Sequence, residues 1–275
     1  MTYACKNEQI CRLARILKTD LKSAVISVKM VKSILIFWAF YLIIISSHLN
    51  VYGNGIKETL HSNNLCVLYL MDVSKSGLGV NLLFLCVIPT MAYGTAIADD
   101  INGNSFWFWA IRCGYKPYIV SKFVACAITG FIVYFVGEVL TAVTVHVFFP
   151  VFLNNFEPEN VYAVFLDTDK YIKYALLMTS HFAFTAMLYA SVGMLISLFM
   201  TNRFAVYAMP VVIYFFISRV FSSINLYLSN VMTWLTEGIY DAGSWWLSIA
   251  VKMIVVVVLV YVMILISFQK MEKRN

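Results

Sequence analysis

Six apolar stretches, each long enough to cross a bilayer and separated by charged or turn-forming residues, constrain this chain more than any other feature of its sequence. A helix needs about 20 apolar residues to span the hydrocarbon core. Stretches of that kind fall near residues 33 to 51, 79 to 98, 119 to 147, 173 to 200, 204 to 224 and 246 to 268. In lipid the backbone must satisfy its own hydrogen bonds, so such stretches fold as helices. With 61% of the residues hydrophobic and only 12% charged, too little polar surface remains to cover a water-soluble core. The expected fold is an all-α integral membrane protein with six transmembrane helices in one domain, residues 1–275. That domain divides into an interfacial segment (1–32), a six-helix region (33–268) and a tail (269–275).

The last residues of the fourth stretch and the first of the fifth are separated only by Thr201, Asn202 and Arg203. A block from Lys173 to Ile224 exceeds twice one crossing, so these residues read as a tight hairpin. Lys and Arg near span ends resist translocation. Placing the N-terminus inside puts fourteen of the twenty basic residues on the cytoplasmic side, from Lys6 to Lys32 and then Arg112, Lys116, Lys122, Arg203, Lys270, Lys273 and Arg274. The opposite loops carry Glu58, Asp72, Glu157, Glu159, Asp167, Asp169, Glu237 and Asp241. Both termini are therefore expected in the cytoplasm, with the chain multi-pass in the cell membrane. The net charge of +6 reads as a topology signal and not as a nucleic-acid surface, because the cations gather at segment ends.

The first 32 residues lack the continuous apolar core of a cleaved leader. Ile10, Leu13, Leu17, Leu21, Ala24 and Val28 recur at helical steps, opposite Arg12, Arg15, Lys18, Lys22 and Lys29. This is the pattern of an amphipathic helix lying in the headgroup layer. It suits a plain surface anchor and a partner-binding helix equally. The interval Ile224 to Trp246 is too apolar for an ordinary loop and too interrupted for a crossing. Short helices dipping into the outer leaflet are expected there, with Trp234, Trp245 and Trp246 at the interface.

Several chemistries are excluded by motif. None of the twelve glycines precedes lysine, so there is no P-loop. None of His48, His61, His146 and His181 precedes Glu, which removes the paired-histidine metalloprotease motif. Gly103 to Ser105 is followed by Phe106 and Trp107 in a cytoplasmic loop, which does not suit a serine nucleophile within the bilayer. The cysteines pair neither as an external disulfide framework nor at zinc-site spacing. No catalytic residue and no metal or cofactor ligand is therefore assigned.

Ionisable residues within spans are candidates for a translocation path. These are Glu138 and His146 in the third span and His181 in the fourth. Glu138 and His146 stand about two helical turns apart, which suits one polar strip along a path, and a satisfied structural pair, or snorkelling from the outer half of their long helix, accounts for both as well. Snorkelling is also the reading for Lys252 and Arg219. Pro89 and Pro210 are candidate hinges, or static kinks that improve packing.

The segment Ile97 to Phe123 interrupts this pattern with Asp99 and Asp100, a turn at Gly103 and Asn104, the helical run Ser105 to Arg112, and Pro117 before the third span. An interfacial belt explains Phe106, Trp107, Phe108 and Trp109 alone. The combination of Asp99 or Asp100, Gly103, Arg112, Tyr115, Tyr118 and Lys122 resembles the cytoplasmic loop of ABC type-2 permeases, the membrane subunits of bacterial ABC exporters. The family commonly carries Glu where this chain has Asp99 and Asp100.

The resemblance covers most of the chain in layout. It implies a coupling helix near Ser105 to Arg112 that seats in a separate cytosolic ABC ATPase, with Asp99, Asp100, Gly103, Phe106, Trp107, Trp109, Arg112, Tyr115 and Lys122 forming the coupling region. It also implies two permease subunits, a second copy or a related chain, working with two ATPases. ATP would be used by the partner, and this chain would bind no cofactor. The expected cargo is amphipathic, such as a peptide antibiotic or other toxic compound. A reading from another class is an ion-coupled carrier, or a six-helix substrate-binding component, without ATPase docking. Its polar pocket would draw on Glu138, His146 and His181. An intramembrane enzyme ranks last.

Overall fold

A computed structural model describes residues 2–51, 65–76, 80–152, 158, 160–224 and 243–272. All regular structure among them is helical. Among the described residues, four helices are long and apolar enough to cross a membrane, namely Val28–Ser47, Tyr115–His146, Tyr171–Ser197 and Trp245–Met271. They match the first, third, fourth and sixth expected spans.

Helix α1 (Thr2–Val25) and α2 (Val28–Val51) are separate, so the expected interfacial segment ends earlier than residue 32. Ser27 causes the break. Its hydroxyl accepts the Met30 backbone N–H at 3.0 Å, the N-cap arrangement that starts a new helix. Lys29 and Lys32 consequently belong to the first crossing helix. A short helix, α3 (Val67–Ser76), lies where the sequence suggested only an external loop. Val67 and Leu68 donate to the Pro150 and Val151 carbonyls, and Leu68, Leu70 and Met71 enter the core.

The second expected span is not one helix. Helix α4 (Val80–Tyr93) ends at Gly94 and Thr95, and α5 (Ala96–Asn102) follows. The chain runs helically through Pro89 and breaks one turn later, so this proline does not end the helix. Helix α6 (Ser105–Cys113) comes after a turn at Gly103 and Asn104, where Asn104 carries the left-handed conformation at φ 56°. The sequence placed its end at Pro117. Gly114 ends it instead, at φ 84°, and Pro117 sits in the first turn of α7 (Tyr115–His146), where a missing donor costs nothing.

Helices α7 and α8 (Tyr171–Ser197) form the centre, with α4, α9 (Arg203–Ile224) and α10 (Trp245–Glu272) packed on α8 and with α1, α2, α4 and α10 on α7. Small residues allow the close approach, as in membrane helix pairs generally. A Cβ on Gly130 would lie 2.6 Å from the Ala190 Cβ, and one on Gly193 would run into Thr90 Cγ2. The α8–α9 connection is the tight hairpin expected at Thr201 to Arg203, and the Asn202 side chain accepts the Phe204 N–H. The apolar stretch described in α9, Arg203–Phe216, is shorter than a full crossing and contains Pro210 within continuous helix. The interval 225–242, which includes Trp234 and the expected outer helices, and the Arg219 side chain lie outside the described residues.

Candidate functional site

The adjacent acids of α5 are anchored to different helices. Asp99 Oδ2 lies 2.8 Å from Lys29 Nζ of α2, and Asp99 Oδ1 lies 2.6 Å from Arg203 Nε of α9. Asn102 adds a bond to the Thr201 carbonyl at 3.0 Å, tying α5 to the α8–α9 hairpin. Burial alone would raise the Asp99 carboxyl, but hydrogen bonds and charge from Lys29 and Arg203 outweigh it and hold the group below its ordinary value.

Asp100 turns the other way. Its Oδ2 accepts the Tyr118 hydroxyl at 2.6 Å and lies 3.1 Å from Lys122 Nζ, both on α7, while Oδ1 accepts the Ser105 hydroxyl at 3.1 Å. Lys122 also meets Asp20 of α1 at 3.4 Å and the Tyr93 hydroxyl at 3.2 Å. Ser121 donates to Asp20 Oδ2 and Tyr93 to Asp20 Oδ1. The Lys122 side chain is only 12% exposed, so two carboxylates hold one enclosed cation between α1, α5 and α7.

Helix α6 rests on this base. Phe106 is buried, with its ring edge-on to Tyr118 at 5.4 Å. Trp107, Phe108, Trp109 and Ile111 are exposed, and the Arg112 guanidinium lies over the Phe108 ring at 5.7 Å. Tyr115 packs edge-on to Phe268 of α10, and Lys270 lies over Phe199. The coupling residues expected from the sequence therefore divide into inward anchors, the buried Phe106 and the part-buried Asp100 and Lys122, and an exposed face, Trp107, Trp109 and Arg112. Gly103 lies exposed in the turn, its N–H bonded to the Asp99 carbonyl at 3.0 Å. Among the described residues, Lys29, Lys122 and Arg203, three of the cations assigned to one side of the membrane, meet around Asp99 and Asp100.

Asp20, Tyr93 and Ser121 were missed by sequence reasoning, as were the pairings of Lys29 and Arg203. Asp20 carried a signal, since it is the one carboxylate between Glu8 and Glu58 and lies among the cations of an amphipathic helix.

The candidate path residues are not brought into one strip. Glu138 is fully buried in α7 and interacts with Tyr134, one turn away. His146 is the last residue of the same helix, exposed, with Nδ1 3.2 Å from the Phe149 carbonyl. His181 is fully buried in α8, with Nδ1 3.1 Å from the Tyr162 hydroxyl. Burial pushes the Tyr162 phenol up to about 12. Lys252 does not snorkel. It is fully buried in α10, one turn from buried Ser248.

Among the described residues no three His, Cys, Asp or Glu side chains cluster as a metal site. Neither a protein-family model nor a curated protein sequence matches this chain.

Proposed function

We propose that this chain is the membrane-spanning permease subunit of an ABC exporter, driven by a separate cytosolic ATPase and working beside a second copy or a related permease. The proposal includes six crossings, both termini in the cytoplasm of the cell membrane, and an amphipathic cargo. The observation that carries it is the construction of α6. This short helix presents Trp107, Trp109, Ile111 and Arg112 outward, while Phe106, and Asp100 just before it, join it to α7, whose Lys122 in turn meets Asp20 of α1. A docking helix must be exposed to its partner and stiffly joined to the path it controls. The α6 region combines both properties.

Affinity purification of the full chain from native membranes, followed by mass spectrometry, tests the reading. A stoichiometric P-loop ATPase that is lost on Arg112→Glu is expected. Asp100 is less useful as a probe, because its carboxylate also anchors α5 to α7. The burial of Glu138 and His181 favours a second reading, an ion-coupled carrier. A chain that purifies without any ATPase, yet binds or moves a solute in a manner abolished by Glu138→Gln, would replace the first reading with the second.

A further inference from the structure

A cleft of about 630 Å³ opens between α1, α6 and the start of α7. Arg15 of α1 and Arg112 of α6 line it, both exposed, together with Ile16 and Trp109. Lys122 and Asp20 also line it. The Lys122 charge is already met by Asp20 and by Asp100. Among the described residues neither arginine is paired with a carboxylate. The cleft thus holds two guanidinium groups in no described ion pair, with three cations facing two carboxylates, beside an aliphatic side chain and an indole.

We infer that this cleft binds the phosphodiester headgroup of an anionic membrane lipid. A guanidinium offers a planar fork of donors that matches phosphate oxygens two at a time. The volume is within the range of small-ligand sites. Ile16 and Trp109 supply the apolar and interfacial surface that the glycerol and upper acyl chain need. One wall is an amphipathic helix and the other belongs to a bundle of apolar helices, so a lipid reaches the cleft along the bilayer interface. The shared chemistry is a phosphate anion, and the bilayer is its source. The site does not depend on ATPase docking, since both walls belong to this chain.

The test uses the full chain purified in mild detergent, titrated with short-chain phosphatidylglycerol or phosphatidylcholine and read by native mass spectrometry. Phosphatidylglycerol is retained in preference, and Arg15→Ala and Arg112→Ala each weaken that retention about fivefold, the contribution of one basic residue near an anionic lipid surface. Lys32→Ala, an exposed cation on α2 outside the cleft, leaves it unchanged. Arg15→Lys retains more than Arg15→Ala. Inorganic phosphate at equal concentration does not displace the lipid. Equal retention of the two lipids overturns the proposal, as does an equal loss with Lys32→Ala, which means diffuse surface charge. Displacement by inorganic phosphate also overturns it, in favour of a free-anion site. If Arg112→Ala alters the melting temperature, the Arg15 variants on the opposite wall carry the test.

Discussion

Asp99 and Asp100 are neighbours in sequence whose carboxylates pair with different helices, Asp99 with Lys29 of α2 and Arg203 of α9, Asp100 with Lys122 of α7. The short helix that carries them, α5, is consequently pinned on two sides at once. The pair is more than a charged border to a membrane span.

Removing the enclosed cation strands two acids. Lys122→Met is expected to destabilise the chain by about 3 kcal/mol, the scale for breaking a largely buried ion pair. Unfolding in mixed micelles measures it. Lys122→Arg should recover much of the loss, and Asp20→Asn combined with Lys122→Met should cost less than the two single changes added together, because they share one network. A loss no larger than that of an exposed lysine variant would remove the network from the account of stability.

The Asp99 carboxyl is held below its ordinary value in the folded chain. Its contribution is therefore fully present above the unfolded carboxylate pKa and is lost as pH falls through the folded value. Asp99→Asn should lower the melting temperature at neutral pH. The gap between variant and parent should narrow as pH falls below the ordinary carboxylate range and the native carboxylate protonates too. A gap independent of pH would show that the side chain's shape, and not its charge, matters.

Close packing of α7 on α8 depends on Gly130. An added methyl would meet the Ala190 Cβ at 2.6 Å and the Ala186 carbonyl oxygen at 3.1 Å. Gly130→Ala is expected to cost about 1 to 3 kcal/mol by overpacking. Adding Ala190→Gly should restore part of that by removing the nearer contact, as read from the melting temperatures of the single and double variants.

The outward face of α6 should separate binding from folding. Trp107 is 52% exposed and Ile111 83% exposed. Trp107→Ala and Ile111→Asp should change stability by less than about 0.5 kcal/mol, as surface substitutions do. Copurification of the ATPase should nevertheless fall sharply. Full retention of the partner by both variants would place docking elsewhere on the chain.

What was legible in the sequence follows the range of the forces involved. Hydropathy is summed along a helix, so the crossings built on α2, α7, α8 and α10 could be located from composition alone. The hairpin at Thr201 to Arg203 was equally local. The break at Gly94 and Thr95 was not, because Pro89 offered the more obvious interruption and the helix tolerates it. The direction of each acid was hidden as well. Asp99 and Arg203 are brought together only by packing of α4 against α9, and no periodicity within either segment encodes that meeting. Lys252 shows the same limit. Its position near the start of α10 suggested a side chain reaching water, while its enclosure depends on what packs around it.

The break between α4 and α5 at Gly94 and Thr95 sets the direction in which a load can travel. A continuous helix would act as a piston, delivering any push on α6 straight up its own axis. Here the rod is cut. A displacement of α5 would instead leave sideways, through Asp99 to the base of α9 and through Asp100 to the base of α7, so that α4 is the helix least directly driven by α6.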